Sequence, residues 1–205
     1  MSEETPLTQK RQNSVDVVIA SYKETLHWAS WMPAEWRVWI YRTDPDAPLW
    51  FTGPVFYIPN EGREAGQYLH HIVSNYDRLA DVTLFLQGNP WDHSAPALVD
   101  LFTKRDFPHP ICYVGAKPPK QEGNPKPFFD GAKEILHRAY DTIGEKELGD
   151  CIPFSVGAQF YVTREIVHRR PASFYQAILA SVAYPGFAHL LEPCWGSVFD
   201  WKEKV

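Results

Sequence analysis

Short apolar runs alternate with polar segments along the chain, and the runs in its first half predict the strands of a sheet. They are VDVVIA at 15–20, WRVWIY at 36–41, VFYI at 55–58 and DVTLFL at 81–86. Nearly continuous apolar runs are typical of strands that are buried on both faces of a parallel sheet. The aromatic segment 26–36 predicts a helix that ends at Pro33. We therefore expect a mostly parallel sheet in this half of the chain.

The clearest helix is predicted between the third and fourth strands, over residues 63–75. Its apolar positions lie at i, i+3, i+4, i+7 and i+8 and form one stripe: Ala65, Tyr68, Leu69, Ile72 and Val73. Strand, helix and strand in this order form a βαβ unit, whose two strands run parallel with a right-handed crossover. The predicted fold class is α/β, a single domain with a mostly parallel sheet flanked by helices.

The second half of the chain predicts further elements with longer irregular segments between them. They are a helix over 95–103, a strand over 111–114, a helix over 130–143 that ends at Gly144, a strand over 157–162 and a helix that is entered through Pro171. The segment 117–127 is rich in Pro, Lys and Gly, which predicts a mobile surface loop. With no internal repeat and no linker, we expect a disordered leader over 1–14 and one domain over 15–205.

Charge and composition narrow the choice of partners and compartment. The 205 residues include 20 Lys and Arg against 25 Asp and Glu, a formal net charge of −5. Without a long basic run, neither a nucleic acid nor an anionic membrane is an expected partner. The chain has no signal-peptide core and no apolar run near the roughly 20 residues of a membrane-spanning helix. Cys112, Cys151 and Cys194 are too few for a disulfide framework, so we expect a soluble cytoplasmic protein with reduced thiols.

The candidate site is predicted at the ends of the strands. The sequence contains no G-x-x-x-x-G-K-[ST], G-x-G-x-x-G, G-x-S-x-G or H-E-x-x-H motif. In open α/β sheets, ligands bind beyond the carboxyl ends of the strands. The polar segments in those positions are 21–24, 60–64 and 87–93. These three loops are therefore the candidates for a binding site.

The segments around these loops resemble the N-terminal half of GT-A glycosyltransferases. In chain order they are VDVVIASYKE, WRVWIY, VFYIPNEGREAGQYLHHIV and DVTLFLQGNP. Together with the later REIV stretch and the E-x-x-W of Glu192 and Trp195, they resemble more closely a fungal and bacterial family of domains of unknown function, related to GT-A enzymes. The resemblance covers roughly residues 15–200. It implies a GT-A-like, Rossmann-like fold that moves a sugar from a nucleotide-sugar donor to an acceptor hydroxyl.

The resemblance also implies roles for individual residues. The nucleotide-sugar donor would be bound by Ser21, Tyr22, Glu24, Asn60, Gly62, Arg63, Glu64 and Gln87. The acceptor, a glycan or another hydroxyl compound, would lie beside Gln159, Arg164 and Trp195. Glu192 falls where many GT-A enzymes carry a catalytic carboxylate, and its apolar neighbours suit a general base.

One departure from the GT-A pattern concerns the metal. The residues QGN at 87–89 stand where GT-A enzymes carry D-x-D, so this position has no carboxylate. The expected ligands of a Mn²⁺ or Mg²⁺ ion are Asn89, Asp92 and His93. Asp81 is an alternative source of the carboxylate that a hard cation prefers. In a metal-independent enzyme, Arg63 and Arg164 would balance the charge of the leaving diphosphate.

Two other functions fit the same residues. The first is a non-catalytic module that binds a glycan or a nucleotide, for which no D-x-D is needed. The second is a metal-dependent hydrolase built from His70, Asp92 and His93. Structural interpretations also stay open: residues 60–62 as a plain turn, Trp195 as a core residue, and His70 and His71 as solvated or partly packed side chains.

Overall fold

The computed structural model describes residues 13–114, 130–144 and 158–199, except for the side chains of His93, Ser94 and Asp130. Most of the predicted leader over 1–14, the predicted loop over 117–127 and Cys151 lie outside the described residues. The described part forms one sheet with helices on both of its faces. None of these helices is long and apolar enough to cross a membrane.

The sheet contains β1 (Val15–Ser21), β2 (Arg37–Arg42), β3 (Val55–Tyr57), β4 (Val82–Gln87), β5 (Ile111–Tyr113) and β6 (Phe160–Thr163). The strand order is β3-β2-β1-β4-β6-β5. The first four strands pair in parallel, as the sequence predicts. Strand β6 runs antiparallel to both of its neighbours. The α/β class with a single flanked sheet is therefore confirmed, but the sheet is mixed.

The helices are α1 (Arg63–Asn75), α2 (Trp91–Lys104), α3 (Asp130–Asp141), α4 (Arg164–Val167), α5 (Ala172–Leu179), α6 (Phe187–Leu191) and α7 (Trp195–Val198). Two segments differ from the sequence-based expectation. The aromatic segment 26–36 contains only a 3₁₀ turn, His27–Trp31. Helix α2 begins at Trp91 instead of residue 95, so the loop after β4 is reduced to residues 88–90.

The sheet separates two apolar cores, because successive side chains of a strand point to opposite faces. In β1, Val17 and Ile19 belong to the core beside α2, whereas Val18 and Ala20 belong to the core beside α1 and α5. All of β1 is buried, since helices cover both faces and strands pair with both sides. This burial accounts for the nearly unbroken apolar pattern of its sequence.

The parallel strands end at one edge of the sheet, called the carboxyl edge below. The end residues are Ser21, Arg42, Tyr57 and Gln87. Because β6 is antiparallel, it begins at the carboxyl edge and ends at the opposite amino edge, where Thr163 pairs with Val82. The residues just before β6 therefore lie at the carboxyl edge, and those that follow it lie at the amino edge.

Candidate functional site

Arg42, the last residue of β2, organises the loops of the carboxyl edge. Its side chain is fully buried, and all five of its N–H groups donate hydrogen bonds. The acceptors, at 2.8–3.2 Å, are the Ser21 hydroxyl and the backbone carbonyls of Glu24, Asp44, Ala47 and Pro48. A buried charge needs such partners, because leaving it unpaired is costly. Arg42 thereby ties the loop after β1 to the loop after β2.

The Glu24 carboxylate lies between the ends of β1 and β4. Its Oε2 atom accepts hydrogen bonds from the Tyr22 backbone N–H at 2.7 Å and from the Ser21 hydroxyl at 3.1 Å. A Cβ atom at Gly88 would lie only 2.5 Å from the Glu24 carboxylate. The Trp28 indole N–H donates to the Gly88 carbonyl at 2.9 Å. The strand order reverses between β1 and β4, which is where open α/β sheets bind ligands, so Glu24 occupies the expected crevice.

A second group of polar residues forms where α1 begins. Gly62 and Arg63 both have left-handed backbone angles, with φ of 67° and 49°. Gly62 has no room for a side chain, because a Cβ atom would lie 2.5 Å from Val182 and 2.8 Å from Phe187. A left-handed residue other than glycine is strained, and such strain clusters at functional sites. This turn brings the first residues of α1 against α6.

Four ionisable side chains influence one another at this contact between α1 and α6. Arg63 Nη1 lies 3.4 Å from His189 Nε2. Burial raises the pKa of the Glu64 carboxyl, and the nearby charge of Glu192 raises this pKa further. A backbone hydrogen bond at Glu64 and the electrostatic effects of Arg63 and His189 lower the Glu64 pKa and so oppose this rise. These four residues, Arg63, Glu64, His189 and Glu192, are called the junction cluster below.

The structure brings most of the predicted donor-side and catalytic residues to the carboxyl edge. They are Ser21, Tyr22 and Glu24 after β1, Asn60, Gly62, Arg63 and Glu64 at the start of α1, Gln87 at the end of β4, and Glu192 beside Glu64. Gln159 joins them, because its side-chain amide donates to the Pro90 carbonyl at 3.2 Å. Ser21 is buried and already hydrogen-bonded, so its role is to hold Glu24, whereas the Tyr22 side chain is 47% exposed.

Arg164 lies at the opposite edge of the sheet, and Trp195 is buried in the core instead of exposed at the site. Arg164 follows β6 at the amino edge, where its guanidinium donates to Asp81 Oδ1 at 2.5 Å and to the Leu79 carbonyl at 3.1 Å. The antiparallel direction of β6 is the reason, since it carries the following residue away from the carboxyl edge. Trp195 is 1% exposed, and its ring stacks on Phe199. The structure corrects the expected location of both residues, and Trp195 belongs to the core.

The expected metal ligands lie in the loop after β4 and in the first turn of α2. The Asn89 amide donates to Asp92 Oδ2 at 2.8 Å, and Asp92 is exposed. Within residues 13–114, 130–144 and 158–199, no group of three or more His, Cys, Asp or Glu is placed to hold a metal ion. His70 packs against Tyr41 on the α1 face of the sheet, whereas α2 covers the other face. The residues of the alternative hydrolase site are therefore not brought together.

Sequence reasoning missed Arg42 and His189 as parts of the site, and it treated Tyr68 as a core residue. Arg42 ends an apolar strand, and only its charge at that position signals a buried polar network. Tyr68 lies in the apolar stripe of α1 and therefore resembles any other core residue. His71, expected to be solvated or partly packed, is fully buried instead, and burial lowers its pKa to about 3. Its Nδ1 atom lies 3.1 Å from the Tyr41 hydroxyl, so His71 is a neutral structural residue.

A cavity of about 340 Å³ lies away from the carboxyl edge, between α2 and β5. Its lining includes Leu101, Cys112 and Tyr161. Burial raises the pKa of the Cys112 thiol, and a protonated thiol is a poor nucleophile. The cavity therefore offers no activated thiol, whereas the carboxyl edge brings most of the predicted site residues together.

Comparison with known proteins gives one match. A family model described as protein of unknown function (DUF3431) matches residues 17–201. No curated protein and no solved structure matches the chain significantly. The match covers both the loops of the carboxyl edge and Glu192. The chain therefore belongs to the family of proteins of unknown function DUF3431.

Proposed function

We propose that this chain is a glycosyltransferase that moves a sugar from a nucleotide-sugar to an acceptor hydroxyl at the carboxyl edge. The observation that carries the proposal is the junction cluster, in which Arg63 lies 3.4 Å from His189 and the charge of Glu192 acts on the neighbouring residue Glu64. Sugar transfer requires a base for the acceptor and a positive charge for the departing phosphate. The cluster offers both kinds of group in one place.

The crevice between β1 and β4 suits the nucleoside part of the donor. Tyr22 presents an exposed ring on which a base can stack, and Lys23 lies 4.8 Å from the centre of that ring. The Glu24 carboxylate, held by Ser21, offers an acceptor for ribose hydroxyls. In this arrangement the diphosphate extends from the crevice toward Arg63, at the start of α1.

In the proposed reaction, Glu192 takes the proton of the acceptor hydroxyl while the acceptor oxygen bonds to the anomeric carbon. The bond from that carbon to the phosphate oxygen breaks, and its electron pair leaves with the nucleoside diphosphate. Arg63 neutralises the added charge through hydrogen bonds to the phosphate oxygens. If the outcome is retention, Glu192 orients the acceptor instead of deprotonating it.

A Mn²⁺ or Mg²⁺ ion bound near Gly88 is part of this proposal. Its proposed ligands include the side-chain oxygen atoms of Asn89 and Asp92, which lie side by side because the Asn89 amide donates to Asp92 Oδ2. His93 remains a proposed ligand. A bound ion would neutralise the diphosphate together with Arg63. Loss of donor binding on treatment with EDTA would support the metal, and unchanged binding would favour neutralisation by Arg63 alone.

The first experiment is a thermal-shift panel of UDP-, GDP- and dTDP-sugars, with and without Mn²⁺, followed by assays for release of nucleoside diphosphate. For the donor that binds, Glu192→Gln is expected to lower turnover by about 10²-fold or more with little change in donor affinity, because it removes the base but keeps the shape. Glu165→Gln is the matched control, since Glu165 is exposed at the start of α4 on the amino edge.

Two outcomes would contradict the proposal. If wild-type protein binds a nucleotide-sugar or a glycan but turns none over with any acceptor, the chain is a binding module. If Glu192→Gln retains turnover within a few-fold of Glu165→Gln, the Glu192 carboxylate is structural and the assigned base is wrong.

A further inference from the structure

The Tyr68 hydroxyl is buried beneath the junction cluster without a partner. Tyr68 is 0% exposed, and its ring packs on Phe85 with centroids 4.8 Å apart. Among the described residues, no atom forms a hydrogen bond with the hydroxyl. Buried polar groups are nearly always paired, so an exception in a well-packed core needs a reason. A phenylalanine would pack equally well at this position.

The helix geometry directs Tyr68 toward the carboxylates. Tyr68 follows Glu64 by four residues, so both lie on one face of α1, and helical side chains lean toward the N-terminus. Burial holds the pKa of the Tyr68 hydroxyl well above its usual range, and the charges of Glu64 and Glu192 add to this effect. The hydroxyl therefore keeps its proton and can donate it to a carboxylate.

We infer that Tyr68 is a positioning residue of the junction cluster, whose hydroxyl, unpaired in this structure, donates a hydrogen bond to the Glu64 carboxylate once the ionised Glu64 side chain turns toward it. Its meaning for catalysis rests on the proposed function, because the bond would hold Glu64 in place beside Glu192. The other groups that act on Glu64 are Arg63 on α1, His189 on α6 and Glu192 itself. Arg63 and His189 are exposed, so Tyr68 is the donor on the buried side.

The test is Tyr68→Phe in the full chain, with glutamate labelled by ¹³C at the carboxyl carbon and followed by NMR through a pH titration. Glu64→Gln identifies the Glu64 signal. Loss of the donor disfavours the ionised form, so we expect the Glu64 midpoint to rise by about half a pH unit or more. Tyr175→Phe is the matched control, because the buried Tyr175 hydroxyl donates to the Val167 carbonyl at 2.8 Å. It should lower stability and leave the Glu64 midpoint unchanged.

Denaturant unfolding at two pH values gives a second readout without an enzymatic assay. When a carboxyl group has a higher pKa in the folded than in the unfolded state, the protein loses stability as the pH rises from the unfolded-state pKa to the folded-state pKa. Tyr68→Phe should enlarge that loss. The variant is therefore expected to be at least as stable as wild type in acid, where Glu64 is protonated, and relatively less stable at pH 8.

An unchanged Glu64 midpoint and a constant stability difference across pH would overturn the inference. If Tyr68→Phe does not fold, the ¹³Cζ signal of Tyr68 in the wild-type protein serves as the readout instead. This signal should shift at the pH of the Glu64 midpoint, and the shift should be absent in Glu64→Gln. A signal that does not change with pH in wild type refutes the hydrogen bond. If the Glu64 midpoint shifts in Tyr68→Phe but the wild-type protein turns over no nucleotide-sugar, the hydrogen bond is supported and only the proposed function is refuted. If the wild-type protein turns over a nucleotide-sugar but the Glu64 midpoint is the same in Tyr68→Phe, only the role of Tyr68 is refuted.

Discussion

Replacing Arg42 by lysine tests whether one buried side chain holds the carboxyl edge together. Arginine has five N–H donors, and Arg42 uses all of them, whereas a lysine ammonium has three donors in a different geometry. At least two of the present acceptors must therefore lose their partner in Arg42→Lys. The affected groups belong to Ser21, Glu24 or the loop over residues 44–48.

The expected loss follows from the number of unmade bonds. A buried acceptor without a partner costs about 1–3 kcal/mol, so two would cost about 2–6 kcal/mol. Because the carbonyls of Asp44, Ala47 and Pro48 are only partly buried and water can reach them, we expect a loss in the lower half of that range, about 2–4 kcal/mol in the free energy of unfolding. Since domains of this kind are stable by about 5–15 kcal/mol, the change is a large fraction of the total. Donor affinity should fall as well, because Glu24 loses its anchored position.

Urea unfolding followed by tryptophan fluorescence measures the change, with the slope m as a check that the unfolded state is unaltered. Arg105→Lys is the control, since Arg105 forms a surface ion pair with Glu35 at 2.6 Å. Such exposed pairs contribute about 1 kcal/mol or less. If Arg42→Lys is no less stable than Arg105→Lys, the hydrogen bonds of Arg42 do not hold the loops, and the reasoning fails.

Two further substitutions test the amino edge and the turn before α1. Arg164→Ala should lower the free energy of unfolding by about 1 kcal/mol, because the ion pair of Arg164 with Asp81 is half exposed. Donor affinity should be unchanged, because this ion pair is remote from the loops of the carboxyl edge. A weaker donor affinity in calorimetry would show that Arg164 takes part in donor binding. Gly62→Ala should cost about 2–4 kcal/mol, since strain at φ 67° is added to contacts with Val182 and Phe187. Gly144→Ala has the same φ, and no atom of the described residues lies within 4 Å of its Cβ position. Thermal unfolding should therefore show a clearly smaller loss, and equal losses would refute the packing argument.

The parts of the fold that could be predicted from the sequence depend on local burial. The strands β1 to β4 and the stripe of α1 follow directly from the spacing of apolar residues. The start of α2 was placed too late, because Asp92, His93 and Ser94 are as typical of a loop as of an exposed first helical turn. The direction of β6 leaves no mark in its apolar pattern, since a strand buried in a sheet has the same composition in either direction.

The residues of the candidate site also divide into those that a local sequence pattern predicts and those that depend on contacts between distant segments. Polar segments after parallel strands could be assigned to one edge, so Glu24, Arg63 and Glu64 were found from the sequence. Arg164 was misplaced because its position depends on the direction of β6. The burial of Trp195 depends on how α7 packs on the sheet, and the electrostatic effect of Glu192 on Glu64 depends on the packing of α1 against α6. None of these contacts between distant segments has a local signal.

The shortness of the outer strands bears on aggregation. Both β3 and β5 have three residues, so each outer edge offers few unpaired backbone groups on which another chain could add a strand. The apolar segment VDVVIAS of β1, the kind of sequence that forms intermolecular sheets once exposed, is paired on both sides. Arg42 fastens the end of β2 to the loop that follows β1. The contacts that hold the loops of the carboxyl edge therefore also keep this segment from assembling with other copies of the chain.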